Sequence, residues 1–203
     1  TGTFGRAYAR SLLASGSGKI IVYSRDEQKQ EDMAHELDDP HNRLRFMVGD
    51  VRDRARLASA MREVEVVVHA AAMKIVPKCE YDPLEAIKTN IGGAENVIQA
   101  AIENDVSKVV ALSTDKAVSP ANLYGATKLA MERLFIAANN LDRLEGCQFS
   151  VVRYGNVAGS RGSVIPFFRK LIAEGVETLP VTHADMTRYW ITREKAIELV
   201  ELA

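Results

Sequence analysis

The sequence predicts an α/β fold: a doubly wound parallel sheet with helices on both faces. Three observations carry that prediction. Short Val/Ile-rich runs alternate with longer helical patterns along most of the chain. The runs are almost continuously apolar, as strands covered on both faces are. Each run stops at a cluster of small or polar residues, and open α/β sheets bind ligands at the carboxyl ends of their strands. Composition agrees. The 203 residues include 26 Lys+Arg and 27 Asp+Glu, a formal net charge of −1, with 47% hydrophobic and 26% charged residues. That balance excludes disordered, collagen-like and low-complexity chains. It offers neither the basic field of a nucleic-acid binder nor a polybasic membrane signal.

The chain opens on Thr1-Gly2-Thr3-Phe4-Gly5, and a helical pattern over 4–14 follows directly. The β-branched run 19–24 (KIIVYS) is bounded by Gly18 and Asp26, with a helical pattern over 26–37. Run 44–48 (LRFMV) ends at Gly49-Asp50 before a helix over 54–62, and run 65–69 (EVVVH) ends in Ala70-Ala71-Ala72. Pro83, with Asp82 before it as a cap, starts a long helix over 83–104. Run 108–112 (KVVAL) ends in Ser113-Thr114-Asp115-Lys116, ahead of a helix over 124–140. Run 148–153 (QFSVVR) ends in Tyr154-Gly155-Asn156, and a helix over 164–174 follows. The alternation stops after Pro180. Cys79 and Cys147 make neither a disulfide framework nor a zinc site, and no metal site is expected. With no signal peptide and no apolar run near ~20 residues, a reducing cytoplasm is the expected compartment.

The strand ends suggest chemistry. Gly2 and Gly5, with Thr3 and Phe4 between them, fit the second and third glycines of a dinucleotide fingerprint. Glycine lets the backbone approach a pyrophosphate whose charge rests on the helix N-terminus. An ordinary tight turn is the competing explanation. After the second run, Ser24 offers a donor, Arg25 a bidentate cation, and Lys29 lies one turn on. That set suits the 2′-phosphate of NADP better than the 2′-hydroxyl of NAD. Asp26 either receives that ribose or caps the helix. Asp50, beside Val51, either accepts from an adenine amino group or caps the next helix. Ala70, Ala71 and Ala72 let a cofactor lie flat against the backbone, or simply pack.

The fifth strand end is the richest. Tyr124 and Lys128 are four apart and share a helix face. A lysine beside a tyrosine hydroxyl lowers its pKa, so Tyr124 is expected to be a base for an alcohol while Lys128 holds a nicotinamide ribose. Asp115 and Lys116 are either a solvated pair or an acid and a base on a substrate carbon chain. As a base Lys116 must be neutral, through burial or neighbouring cations. His69 is expected to be packed and hydrogen-bonded, and Asn90 to act on Thr114 or Lys128 through water. Residues 1–180 are thus expected to form an NADP-binding domain and 181–203 to begin a smaller lobe.

At these residues the chain resembles the extended short-chain dehydrogenase/reductases, and among them the inverting UDP-N-acetylglucosamine 4,6-dehydratases that open pseudaminic acid synthesis. The segments GTFG, IVYSRDEQK, GDVRD, HAAAMKIVP, EYDPLEAIKTNIGGAENVI, ALSTDKAVSPANLYGATK, SVVRYGNVAGSRGSVIPFF and MTRYWIT carry the resemblance over nearly the whole chain. Tyr124 stands where the membrane-anchored, retaining relatives carry Met, which favours the soluble branch. The resemblance implies a Rossmann-like domain, NADP and a UDP-sugar substrate. It implies that Tyr124 deprotonates the C4 hydroxyl, Thr114 bonds the C4 oxygen, Lys116 takes the C5 proton and Asp115 protonates the leaving C6 hydroxyl. Cofactor contacts are implied from Gly2 to Gly5, Ser24 to Lys29, Asp50-Val51, Ala70 to Ala72, and Val157, Ala158, Gly159, Ser160 and Arg161. Lys74 and Asn156 match positions that face the sugar nucleotide, and Arg188 is either a phosphate contact or part of a structural ion pair.

The resemblance also implies a homo-oligomer assembled through helices 83–104 and 124–140. It implies a longer protein, with a first strand ahead of Thr1 and most of a substrate lobe beyond Ala203. Two inner strands are then expected to be unpaired edges, and the segment alone to fold poorly and turn over little. Two other functions stay open. A UDP-hexose 4-epimerase shares Tyr124 and Lys128 but does not need Asp115 and Lys116. A non-catalytic NADP-binding fragment needs none of the acid–base set.

Overall fold

The computed structural model describes residues 1–141, 146–160, 163–181 and 183–203. Helix α1 (Thr3–Ala14) leads into β1 (Ile20–Ser24), and α2 (Glu27–Glu36), β2 (Leu44–Val48), α3 (Arg54–Ala60) and β3 (Val66–His69) alternate after it. Helices α4 (Val76–Tyr81), α5 (Pro83–Ile87) and α6 (Gly93–Glu103) precede β4 (Lys108–Thr114), with a π-helical turn over Lys88–Gly92 joining α5 to α6. A 3-10 turn (Asp115–Ala117) and α7 (Leu123–Ala138) come next, then β5 (Gln148–Tyr154), β6 (Asn156–Val157), α8 (Val164–Ala173), β7 (Trp190–Ile191) and α9 (Arg193–Glu201). This is the α/β alternation the sequence predicts.

Among the described residues the four strand pairings are parallel: β1 with β2, β3 with β4, β4 with β5, and β6 with β7. Among the described residues, β1 and β3 each have a strand partner on one side only. Successive β4 residues face opposite ways. Val109 and Ala111 join Leu57, Val97, Ile98, Met131, Phe135 and Phe149 in the largest core, between the sheet and α3, α6 and α7. Val110 and Leu112 join Val152 and Val200 on the other face, with Phe4 and Tyr8 of α1 against them. Helices therefore cover both faces, which is what doubly wound means physically. Buried Ala196 and Val200 seat α9 there, against α1 and β5. A smaller core of Ala9, Leu13, Ile20, Val22, Met33 and Leu37 holds α1 and α2 on β1.

The long helix predicted over 83–104 is interrupted, and the interruption has a cause. In the π-turn, Asn90 is 1% exposed. Its Nδ2 donates to the Met73 carbonyl at 2.9 Å and to Thr127 Oγ1 at 2.9 Å, while its Oδ1 accepts from the Met73 N–H at 2.8 Å. One wider turn brings that amide inward; π-turns recur where a helix trades regularity for such a placement. Asn90 thus grips Met73 and Thr127 directly, in place of the expected water-mediated link to Thr114 or Lys128. Asp82 holds the cap position of α5 but makes no side-chain cap bond.

Candidate active site

Strand β4 runs two residues further than its apolar run, because its ladder with β5 continues to Thr114 opposite Tyr154. The chain then turns sharply through Asp115–Ala117. Thr114 Oγ1 anchors the turn by accepting from the Lys116 N–H at 3.4 Å. Helix α7 starts at the Asn122 cap, whose Oδ1 accepts from the Gly125 N–H at 2.9 Å. Glycine is required at 125: a Cβ there would stand 2.1 Å from the Lys116 carbonyl oxygen. That approach sets Tyr124 beside the turn.

The residues expected to act as acid and base form one connected set. Thr114 Oγ1 donates to Asp115 Oδ1 at 2.9 Å, and the Thr114 hydroxyl lies near enough to Tyr124 to favour its phenolate. Lys116 Nζ donates to Asp115 Oδ1 at 3.0 Å and to Asn156 Oδ1 at 3.2 Å. Asp115 and Lys116 line a cavity of about 440 Å³ with Asn122, Thr187, Arg188 and Tyr189. Gly155 admits that far wall, since a Cβ there would stand 2.3 Å from the Tyr189 carbonyl oxygen. Arg188, exposed and bonded to the Thr187 carbonyl, therefore faces the same space as the Asp115–Lys116 pair.

The electrostatics depart from expectation at Tyr124. Its pKa is raised, because burial outweighs the Thr114 hydroxyl and the charge of Asp115 adds to the effect. Lys128 is 3% exposed, and its Nζ donates to the Leu112 carbonyl at 2.5 Å and contacts Met131 Sδ at 3.0 Å. Burial lowers its pKa to about 8, against the opposing charge of Glu132. The expected lowering of the phenol by Lys128 is thus not realised here. Asp115 is pushed up by burial but pulled further down by the hydrogen bonds of Lys116 and Thr114, so it is a carboxylate at neutral pH. His69 is packed on Phe135 with ring centroids 5.8 Å apart, yet its Nε2 has no hydrogen-bond partner, contrary to expectation. Burial, with the charge of Lys128, drops its pKa to about 3, so it is neutral.

The other strand ends hold the residues expected to meet a dinucleotide. No side chain caps α1 at Gly2. Thr3, Phe4 and Gly5 form its first turn, and the Phe4 ring stacks on Tyr8 and Tyr154, with centroids at 5.6 and 6.3 Å. Ser24 Oγ accepts from Gln30 Nε2 at 3.0 Å and from Thr1 Oγ1 at 3.4 Å. Asp26 caps α2 through the Lys29 N–H at 2.9 Å and also pairs with the Lys29 ammonium. Asp50 is gripped by Arg52 at 2.7 Å, with Arg25 at 3.7 Å, while the cap of α3 is Asp53. Val51 is buried; Ala70 and Ala71 are exposed and Ala72 partly so, directly after β3. Lys74 follows them, with burial lowering its pKa. Val157 is buried in β6, and Ala158, Gly159 and Ser160 turn away from it, Gly159 with φ +67°. Arg161 lies outside the described residues.

The sequence reading missed Glu132, Tyr154 and Asn122. Glu132 had a signal: it stands four residues after Lys128, on a helix whose buried positions are otherwise mostly apolar.

Comparisons with known proteins fit this geometry. A profile of the family described as polysaccharide biosynthesis protein matches residues 1–203. The chain is 57% identical over 201 residues to the inverting UDP-N-acetylglucosamine 4,6-dehydratase of Campylobacter jejuni subsp. jejuni serotype O:2, covering 98% of this chain and 60% of that protein. It is 47% identical over 204 residues to the UDP-glucose 4-epimerase of Rickettsia canadensis, covering 98% of this chain and 59% of that protein. Among solved structures, Pen from Bacillus thuringiensis superposes with a TM-score of 0.96 at 42% identity, covering 100% of this chain and 64% of that one. The chain thus spans about three fifths of the length of these relatives.

Proposed function

Because the chain belongs to the polysaccharide biosynthesis protein family, we propose that the full protein dehydrates a UDP-sugar, removing water across C5 and C6 of UDP-N-acetylglucosamine with inversion at C5, on the way to pseudaminic acid. The Asp115–Lys116 pair carries this reading: it is joined at 3.0 Å and opens on the cavity that also holds Arg188.

The residues present fit a nicotinamide dinucleotide, and NADP in particular. The start of α1, uncapped by any side chain, suits a pyrophosphate. The Ser24 hydroxyl already accepts two hydrogen bonds, so its own proton is left to donate. Arg25 has its side chain 57% exposed beside it, whereas Asp26 is engaged by Lys29. Donors therefore meet a 2′-phosphate where NAD would want a free acid. Such a cofactor would take hydride from C4 and return it to C6.

This chain's residues do the rest. Tyr124 takes the C4 hydroxyl proton as its phenolate, a form that the positive charge of an oxidised nicotinamide would favour against the burial that raises its pKa, while Thr114 holds the C4 oxygen. The resulting 4-keto group acidifies the C5 proton. One proton passing along the 3.0 Å Lys116–Asp115 contact converts the ion pair into a neutral amine and a carboxylic acid. Those two forms are what the elimination needs. Lys116 takes the C5 proton, Asp115 protonates the C6 hydroxyl, and water leaves. Solvent water then supplies the proton that C5 takes on the opposite face, and Lys116 gives its proton back to solvent. Asn156 steadies the Lys116 amine, and Lys74 and Arg188 are assigned to the sugar nucleotide, Arg188 in the 181–203 stretch read as the start of the substrate lobe. The full protein is further read as a cytoplasmic homo-oligomer, paired through α5 and α7, where Leu84, Ile87 and Ile136 are exposed.

The similarity to UDP-glucose 4-epimerases supports a second reading, in which only C4 is inverted. Incubating UDP-N-acetylglucosamine and NADP+ with the full-length protein in heavy water separates the two. Loss of one water with deuterium at C5 is the expected result. An unchanged mass with a C4 epimer appearing by NMR would replace the dehydratase with the epimerase.

A further inference from the structure

We propose that Glu132 is a positioning residue for the proposed reaction: its buried carboxylate locks the ends of β4 and β5 to α7, one helical turn from the Lys128 amine. The idea rests on the functional reading above only for its effect on turnover.

Glu132 is 3% exposed. Its Oε1 accepts from Ser113 Oγ at 2.5 Å and from Arg153 Nε at 2.7 Å, and its Oε2 pairs with the second guanidinium nitrogen of Arg153. Ser113 and Arg153 are register partners across β4 and β5, and the next pair along, Thr114 and Tyr154, borders the site. One carboxylate therefore joins the three elements that deliver Thr114, Tyr124 and Lys128. A buried acid is costly unless paired, and Ser113 with Arg153 supplies that pairing. Burial pushes its pKa up, but the Arg153 and Ser113 bonds and the charges of Arg153 and Lys128 leave it low, so it is ionised.

Lys128 lies one turn before Glu132, and its direct partners, the Leu112 carbonyl and Met131 Sδ, are neutral. Glu132 is the anion that opposes the effect of burial on it. The other ionisable groups in reach are His69 at the end of β3, neutral here, Arg153 on β5 through the shared carboxylate, and Tyr124 on α7 itself. An ordinary structural ion pair would affect folding alone. A positioning residue also moves the ionisation of the amine it serves.

The experiment uses the full-length protein labelled with 13C at lysine Cε, and follows the Lys128 resonance against pH. Glu132→Gln keeps shape and an acceptor for Ser113. It should lower the Lys128 midpoint by about half a unit or more. In the same variant kcat should fall about tenfold with KM for the sugar within about twofold. Arg153→Gln covers the case in which Glu132→Gln does not fold: it removes the main partner that keeps Glu132 ionised and should likewise lower the Lys128 midpoint. A midpoint that stays put in whichever of these variants folds would overturn the proposal, even with a lowered Tm. Absence of dehydratase turnover in the parent would overturn the functional reading instead, and the titration would still decide the role of Glu132.

Discussion

The β1–β2 half and the β3–β5 half of this molecule hold their polar groups in opposite ways. Around β1 most charged contacts reach the surface, the Arg43–Asp39 pair excepted: Glu36 takes both Arg6 and Arg10 with its side chain 41% exposed, and Arg52 reaches Asp50 and the more exposed Glu85. The core beneath them is small. Around β4 the ionisable groups Lys128, Glu132 and His69 are almost wholly buried beside a much larger core. Recognition of a charged cofactor tolerates exposed, exchangeable contacts, since phosphate is met at the surface. Proton transfer is served by fixed partners and shifted pKa values, and burial is one source of both. A large core beside the second set offsets the cost of burying those groups.

That contrast is open to attack, from its largest expected effect downward. Tyr124→Phe in the full-length protein should cut kcat ~10²–10⁴-fold with cofactor Kd little changed; a variant retaining near-normal turnover would remove the base from the buried half. Lys116→Ala should stop deuterium entry at C5, by at least ~10²-fold, while sparing any C4 epimerisation; continued exchange would sink its role. Arg25→Asp should shift the NADP/NAD preference toward NAD by ~10–100-fold, the worth of one charge-assisted contact, measured by titration of both cofactors. If preference is unmoved, the surface half does not read the 2′-phosphate.

His69 tests the buried half through stability. Its folded pKa, about 3, lies below the ordinary value of 6.5. Between those pH values the unfolded chain binds a proton that the folded chain refuses, so stability falls as pH drops through this window. His69→Gln should flatten the fall in urea-unfolding free energy between pH 6.5 and 5 by up to about 2 kcal/mol; parallel curves for parent and variant would disprove it. The smallest effect belongs to Glu36→Ala, an exposed acid whose loss should cost under about 1 kcal/mol and less still in high salt. A larger, salt-insensitive loss would erase the distinction between the halves.

Much of this was legible in the sequence, because burial on both faces writes itself as unbroken Val/Ile runs. Strand β2 matches its run to the residue, and β1 and β3 lose one residue each. Strands β4 and β5 outrun theirs, since their ladder is held by pairing and not by apolarity. The gathering of Thr114, Asp115, Lys116 and Tyr124 at one strand end was legible as a polar strand end followed by Tyr124 and Lys128. The raised Tyr124 pKa was not, because desolvation depends on what the fold stacks above the phenol. The π-turn was hidden for the same reason: its cause, Met73, is 17 residues away along the chain. The β6–β7 pair is two residues long on each side, too short for any periodicity.

The grip of Asn90 on Met73 has a kinetic consequence. A side-chain amide there does what a neighbouring strand does, meeting both the N–H and the C=O of one residue. Aspartate could not donate, and an aliphatic residue could do neither. The chain after β3 is thus finished by the helical segment that carries the π-turn and not by the sheet, so it cannot settle before that segment has docked. The Met73 amide is accordingly a clock: its hydrogen exchange should keep time with undocking of that segment and not with opening of the ladder beside it.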